Sequence, residues 1–371
     1  MKLNPKYLFC AALLGIPCSL SNACLWDTDT LAMERSKFPG AFELVAGYFV
    51  RHSPVYYKWR IRDRETNGEG MTPGDYDDVA VSHDKLGNHG KAIHSIRIKM
   101  EKWPGEGQYE SQANLGTFLI HNGQFEEGLV HIKKAIELNP EAHFGREIYQ
   151  QHLVEYLISK GYPETPLPLG GEGGEIGNGI GFHEYLVETV GGDSVAGAAN
   201  GVMGMMRFGT YNSPVLLEVL GDLMMTDQYP HTDSSMIAAR AYLHASYVAP
   251  TEGAKEAYRK KASAALVMHE LITLQDVEKG LQSELKSGKE VFADISSDEK
   301  AWFRAGLDLD AMFAEKYYDV GLPSLQATQT PKLVHQIMGW LDVVVFIFLV
   351  FLFIAGYPIV ILHSRSKKKA N

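Results

Sequence analysis

Residues 110–142 read ESQANLGTFLIHNGQFEEGLVHIKKAIELNPEA, and residues 74–106, offset by 36 positions, read GDYDDVAVSHDKLGNHGKAIHSIRIKMEKWPGE. Leu115, Gly116, Gly123, Gly128, Ile132 and Pro140 of the later stretch fall where the earlier one has Val79, Ala80, Gly87, Ala92, Ile96 and Pro104. Small residues recur where two antiparallel helices would touch closely. Larger apolar residues recur where the pair would bury its inner face, and a proline follows the second helix. A helix–turn–helix unit of this kind cannot bury its apolar side alone and must stack on copies of itself. The two stretches therefore predict an all-α solenoid, and a solenoid is a binding scaffold.

The pattern resembles the tetratricopeptide repeat (TPR) family, whose units run to about 34 residues with small, aromatic and proline positions at set offsets. Gln124-Phe125-Glu126-Glu127-Gly128-Leu129 and Lys133-Lys134-Ala135-Ile136-Glu137-Leu138-Asn139-Pro140 look like the second helix of such a unit. The first repeat departs at His83, where an aromatic is usual, and at Lys99, where Ala is usual; the second departs at Gln112. A degenerate third unit fits Leu217, Leu220, Gly221 and Met224, followed by Ala238, Tyr242, Ala245 and Pro250. The resemblance implies a concave groove lined by the first helices of the repeats. At its groove-facing positions stand Asp77, Val81, Asp84 and Lys85, then Ala113, Thr117, Ile120 and His121, with Gly74 and Glu110 leading. Chaperone-docking members hold a peptide carboxylate with Lys and Asn; Asp77 and Val81 replace them here. The implied partner is a protein presenting a basic or amphipathic segment, bound as an extended or helical peptide.

The two ends read as targeting segments. Lys2 and Lys6, the apolar run Tyr7–Leu20 and Ser21-Asn22-Ala23 predict a secretory signal peptide, residues 1–23. Val343–Leu362 carries no charge. At about 1.5 Å per residue it matches the roughly 30 Å hydrocarbon layer, which predicts a transmembrane helix within 337–362. Arg365, Lys367, Lys368 and Lys369 follow at once, so the tail 363–371 is expected in the cytoplasm and the body outside it. A disulfide-free body and the lack of any Asn-x-Ser/Thr acceptor favour a bacterial periplasm and inner membrane; the dilysine near the C-terminus would fit a eukaryotic retrieval signal instead. Cys24 would be the one cysteine left after cleavage, and Ser21 stands where a lipobox has an aliphatic residue.

Between the ends the chain divides into a helical cap (24–72), the repeats at about 73–106 and 109–142 with a following helix to 162, a Gly/Pro-rich linker (163–181), a second helical region (182–321) and a stalk (322–336). Within the second region, Ser296 and Glu299 read as a capping box that starts a helix through Tyr318. The formal charge of −10 becomes more negative once the basic ends are set aside, which disfavours nucleic-acid phosphates and anionic lipid heads.

Chemistry is hard to find. His269-Glu270 and His183-Glu184 lack the second His of a zinc-binding helix, and no G-x-S-x-G elbow occurs. The glycines of 170–181 lack the Lys-Ser/Thr of a phosphate loop. His83, His89 and His94 read as packing and surface histidines, and Asp75–Asp78 as a solvated face. No catalytic, metal or cofactor site is expected, and the function expected is that of a non-catalytic, membrane-tethered scaffold. An enzyme site hidden in Phe182–Tyr318, or a purely structural subunit of one obligate complex, are the other readings left open.

Overall fold

The structure, a computed structural model, describes residues 26–28, 39–66, 70–140, 146–171, 181–191, 197–226, 232–269 and 271–318, together with 322, 323 and 325. The expected signal peptide, most of the stalk, the transmembrane run and the basic tail lie outside the described residues. Among those described, no helix is long and apolar enough to cross a membrane. The described chain is all-α, with 14 α-helices and no strand.

Two helices, α1 (Ala41–Ala46) and α2 (Pro54–Glu65), precede two hairpins, α3 (Pro73–Lys85) with α4 (His89–Lys102) and α5 (Gln108–His121) with α6 (Phe125–Leu138). Next come α7 (Arg146–Ser159), α8 (Phe182–Val190), α9 (Ala198–Phe208), α10 (Pro214–Met224), α11 (Thr232–Val248), α12 (Glu252–Ala265), α13 (Leu274–Arg304) and α14 (Leu309–Phe313).

The repeat period has a local cause. Gly87 and Gly123 take φ of 75° and 80°, the left-handed conformation that ends α3 and α5. Behind each, the next residue donates its N–H back five positions: Asn88 to the His83 carbonyl and Gln124 to the Leu119 carbonyl, both at 2.8 Å. Gly116 and Gly128 then let α5 and α6 touch. A Cβ on Gly116 would stand 2.9 Å from the Gly128 carbonyl oxygen, and one on Gly128 would stand 2.8 Å from that of Gly116. Ala80 and Ala92, fully buried, hold the matching places in the first hairpin.

The repeats carry a small core of their own, in which Val81, Ile96, Leu115 and Phe118 meet. A larger core runs from Leu44 and Val45 of α1 through α7–α12 to Leu281 of α13. Gly221 sits against the ring of Tyr242, so α10 and α11 pack closely as a hairpin.

Three expectations are corrected. Ser296 lies inside α13, which runs unbroken for 31 residues; the capping box is Thr273 with Asp276. Glu299 serves no cap, because its carboxylate is buried against His52 Nδ1 at 2.7 Å and the Ser53 N–H at 2.9 Å. Residues 163–171 are not a free tether: Leu167 and Leu169 are buried in the larger core, and a Cβ on Gly170 would meet the Cα of Gly181 at 3.2 Å. Residues 172–180 of the expected linker or mobile loop lie outside the described ones. Finally, Asp77 and Asp78 of the supposed solvated face are 5% and 1% exposed.

Past α13 the chain returns to its beginning. Phe313 packs on the ring of His52 at 3.7 Å between centroids, and Asp310 accepts hydrogen bonds from Tyr56 and Arg64, both at 2.6 Å.

Candidate binding groove

The second hairpin, α7 and the α9–α10 turn enclose a groove of about 450 Å3. Its depth is apolar. Leu153, Val154 and Leu157 come from one face of α7, while Met205, Phe208 and Val215 come from α9 and α10, and all six are buried. Half-buried Ile120, Phe125 and Leu216 stand nearer the surface. One polar pair breaks this lining: Gln150 Nε2 donates to Thr117 Oγ1 at 3.1 Å. The buried Oε1 of Gln150 has no hydrogen-bond partner among the described residues.

Of the eight groove positions expected from the sequence, Thr117, Ile120 and His121 line this cavity. Asp84, buried just behind His121, has its carboxylate oxygens 2.9 and 3.0 Å from His121 Nδ1 and one of them 2.7 Å from His89 Nδ1. Burial alone would raise the Asp84 carboxyl, but His121 and His89 outweigh it and hold it well below the usual carboxylate range. The bond to Asp84 in turn raises His89. Lys85 donates to the carbonyl of Phe208, tying the end of α3 to the end of α9, and with Val81 it lines a second cavity of about 250 Å3.

Asp77 and Ala113 are closed to any outside partner. Asp77 accepts from Lys99 Nζ at 2.6 Å and from Asn114 Nδ2 at 3.1 Å. Burial pushes its carboxyl up to about 7, with Lys99 pulling the other way. Ala113 is covered by Trp26, which packs in the same cluster as Tyr109 and Ala135. The Trp26 N–H donates to Asn114 Oδ1 at 2.8 Å, and Asn114 Nδ2 donates to the Trp26 carbonyl at 3.0 Å. Asp27 accepts from Arg60 at 2.7 Å, and Thr28 donates to the Asp78 carboxylate at 2.9 Å. Residues 26–28 of the chain itself thus occupy the part of the repeat face where a foreign peptide was expected.

The departure at Lys99 now has a physical account. Asp77 and Lys99 stand 36 positions before Ala113 and Ala135, so the first hairpin buries an ion pair where the second buries two alanines. The signal was present as two departures in register, each read alone. The Asp84–His89–His121 cluster left no such signal, because its members come from three helices and share no spacing.

The second helical region holds a buried charged knot. Lys261 Nζ lies 2.8 Å from Asp222 and 3.8 Å from Glu218, while Tyr242 and Tyr258 donate to these carboxylates, each at 2.7 Å. Burial raises both carboxyls, and Lys261 opposes it. Glu218 also accepts the N–H groups of Leu169 and Gly170 at 3.0 and 2.7 Å, which fastens the 163–171 segment to α10.

Comparison of the chain with family models, with curated proteins and with solved structures finds no match to any of them.

Proposed function

We propose that this chain is a non-catalytic protein-binding scaffold, built on TPR-like stacked hairpins and held at a membrane by the uncharged run Val343–Leu362. On this reading it is exported, with its body outside the cytoplasm, and its groove takes an amphipathic or basic segment of a partner protein. One observation carries the proposal: an apolar groove of about 450 Å3, edged by Thr117, Ile120 and His121. An apolar side chain entering it would leave water, worth about 1.5–3 kcal/mol for a fully buried Leu or Phe. The acidic body favours a segment of opposite charge around that anchor. A membrane tether would raise the local concentration of partners in the same membrane.

The test is photo-crosslinking in membranes from position 120, compared with the exposed position 134 on α6. The expected result is a discrete protein adduct from 120, absent from 134, and lost when Leu216→Glu places a charge at the mouth of a chain that keeps its helical circular dichroism. Equal capture from both positions, or an adduct indifferent to Leu216→Glu, would overturn the groove as the binding site.

A further inference from the structure

We propose that Asp84, His89 and His121 form a site for a divalent transition-metal ion of the zinc class, beside the mouth of the groove. The last turn of α3 supplies Asp84, the first residue of α4 supplies His89 and the last residue of α5 supplies His121. One ligand atom from each lies within 4.8 Å of the other two. Both imidazoles turn Nδ1 to the same carboxylate, at 2.7–3.0 Å.

The division of labour suits a metal. The Asp84 side chain is 4% exposed, whereas His89 and His121 are 30% and 31% exposed. A tetrahedral ion with bonds of about 2.0–2.1 Å sets its ligand atoms roughly 3.3 Å apart. Each ring would move off Asp84 by about 0.3–0.6 Å, and the two imidazole ligand atoms, within 4.8 Å of each other, would close toward the same spacing. Each neutral imidazole would carry its proton on Nε2 and give the Nδ1 lone pair to the ion. Two nitrogen donors and one carboxylate favour zinc, cobalt, nickel or copper over calcium or magnesium. The neighbouring ammonium of Lys85 is engaged by the Phe208 carbonyl, and Asp84 supplies the one anionic ligand.

Three protein ligands leave a fourth position for water or for a donor from outside. His121 itself lines the groove, so that position would stand next to the groove's occupant. The ion would also clamp the first hairpin to the second. This inference stands without the scaffold reading, since it concerns the metal alone.

The test is cobalt titration of the untagged full-length chain after stripping with a chelator. The expected result is one Co2+ per chain, with visible d–d absorption of tetrahedral intensity that Zn2+ abolishes, and a Tm raised by Zn2+. His89→Ala and His121→Ala should each weaken binding by about 100-fold, because even outer partners of metal ligands cost 10- to 100-fold. Asp84→Asn tests the anchor, and exposed His94→Ala should bind as the unaltered chain does. Both imidazole variants are expected to keep their circular dichroism, since the rings are partly exposed. Absence of a d–d band and of any Zn2+-dependent Tm shift in the unaltered chain would overturn the site. Binding that survives both His89→Ala and His121→Ala would do the same, by placing the ion elsewhere.

Discussion

Lys99→Ala is the most informative single change. The Lys99 side chain is 1% exposed and its ammonium stands 2.6 Å from the Asp77 carboxylate, which is itself 7% exposed. Removing one partner of a buried pair leaves the other uncompensated, at a cost of about 3–5 kcal/mol. For a chain of this size that is a fall in Tm of roughly 5 °C. The loss should depend on pH in a definite sense. Asp77 already sits at about 7 in the folded chain against 3.8 ordinarily, so the folded state keeps a proton that the unfolded state releases. An acid raised in this way loses stability as pH rises from its unfolded value through its folded one. Without Lys99 the folded value rises further. The penalty should therefore be smallest at pH 5, where Asp77 is protonated in both chains, and larger by up to about 1.4 kcal/mol at pH 8, one unit above the folded value of about 7. The double variant Asp77→Ala/Lys99→Ala copies the Ala113 and Ala135 of the second hairpin and should be more stable than Lys99→Ala alone at pH 8. Urea unfolding followed by circular dichroism at the two pH values measures all of this. A single-variant loss under about 1 kcal/mol, or a double variant no better than the single, would refute the buried-pair reasoning.

Three further outcomes are expected. Gly116→Ala gains up to about 1 kcal/mol of helix propensity but drives a Cβ to within 2.8–2.9 Å of Ile132 and the Gly128 carbonyl, so Tm should fall by a few degrees; a rise would contradict the close helix contact. Lys261→Met strands Glu218 and Asp222 together in the core and should cost about 3–5 kcal/mol at pH 8, less at pH 5; equal losses at both would rule out carboxylate repulsion as the cause. With chelator present, the stability lost in Asp84→Asn should peak between about pH 4 and 6.5. The depressed Asp84 contributes above its unfolded 3.8, and loses that as pH falls through its folded value; the raised His89 contributes below its unfolded 6.5, and loses that as pH rises through its folded value. A Tm difference that stays flat from pH 5 to 8.5 would mean the three groups do not interact as drawn.

The chain's own letters were enough for the helical hairpins, and the reason is that hairpin contacts are local. Gly87 and Gly123 end helices through bonds spanning six residues, and Gly116 meets Gly128 across a short turn, so each leaves a mark at a regular spacing. Everything that joins distant segments escaped the same reading. Trp26 lies 88 residues from the Asn114 it bonds, His52 lies 247 from Glu299, and Asp84 reaches His121 across 37. No periodicity relates such pairs; the packing of whole helices chooses them. Thr117, Ile120 and His121, which the resemblance set on one face of α5, line the cavity, whereas Asp77, Val81, Asp84, Lys85 and Ala113 do not. That Asp77 and Ala113 would be shut away depended on where residues 26–28 came to rest, and that their ion pair and alanine pair would substitute for one another depended on two helices meeting. Local sequence determined the elements and their repeat; only tertiary packing decided which of their faces stayed open.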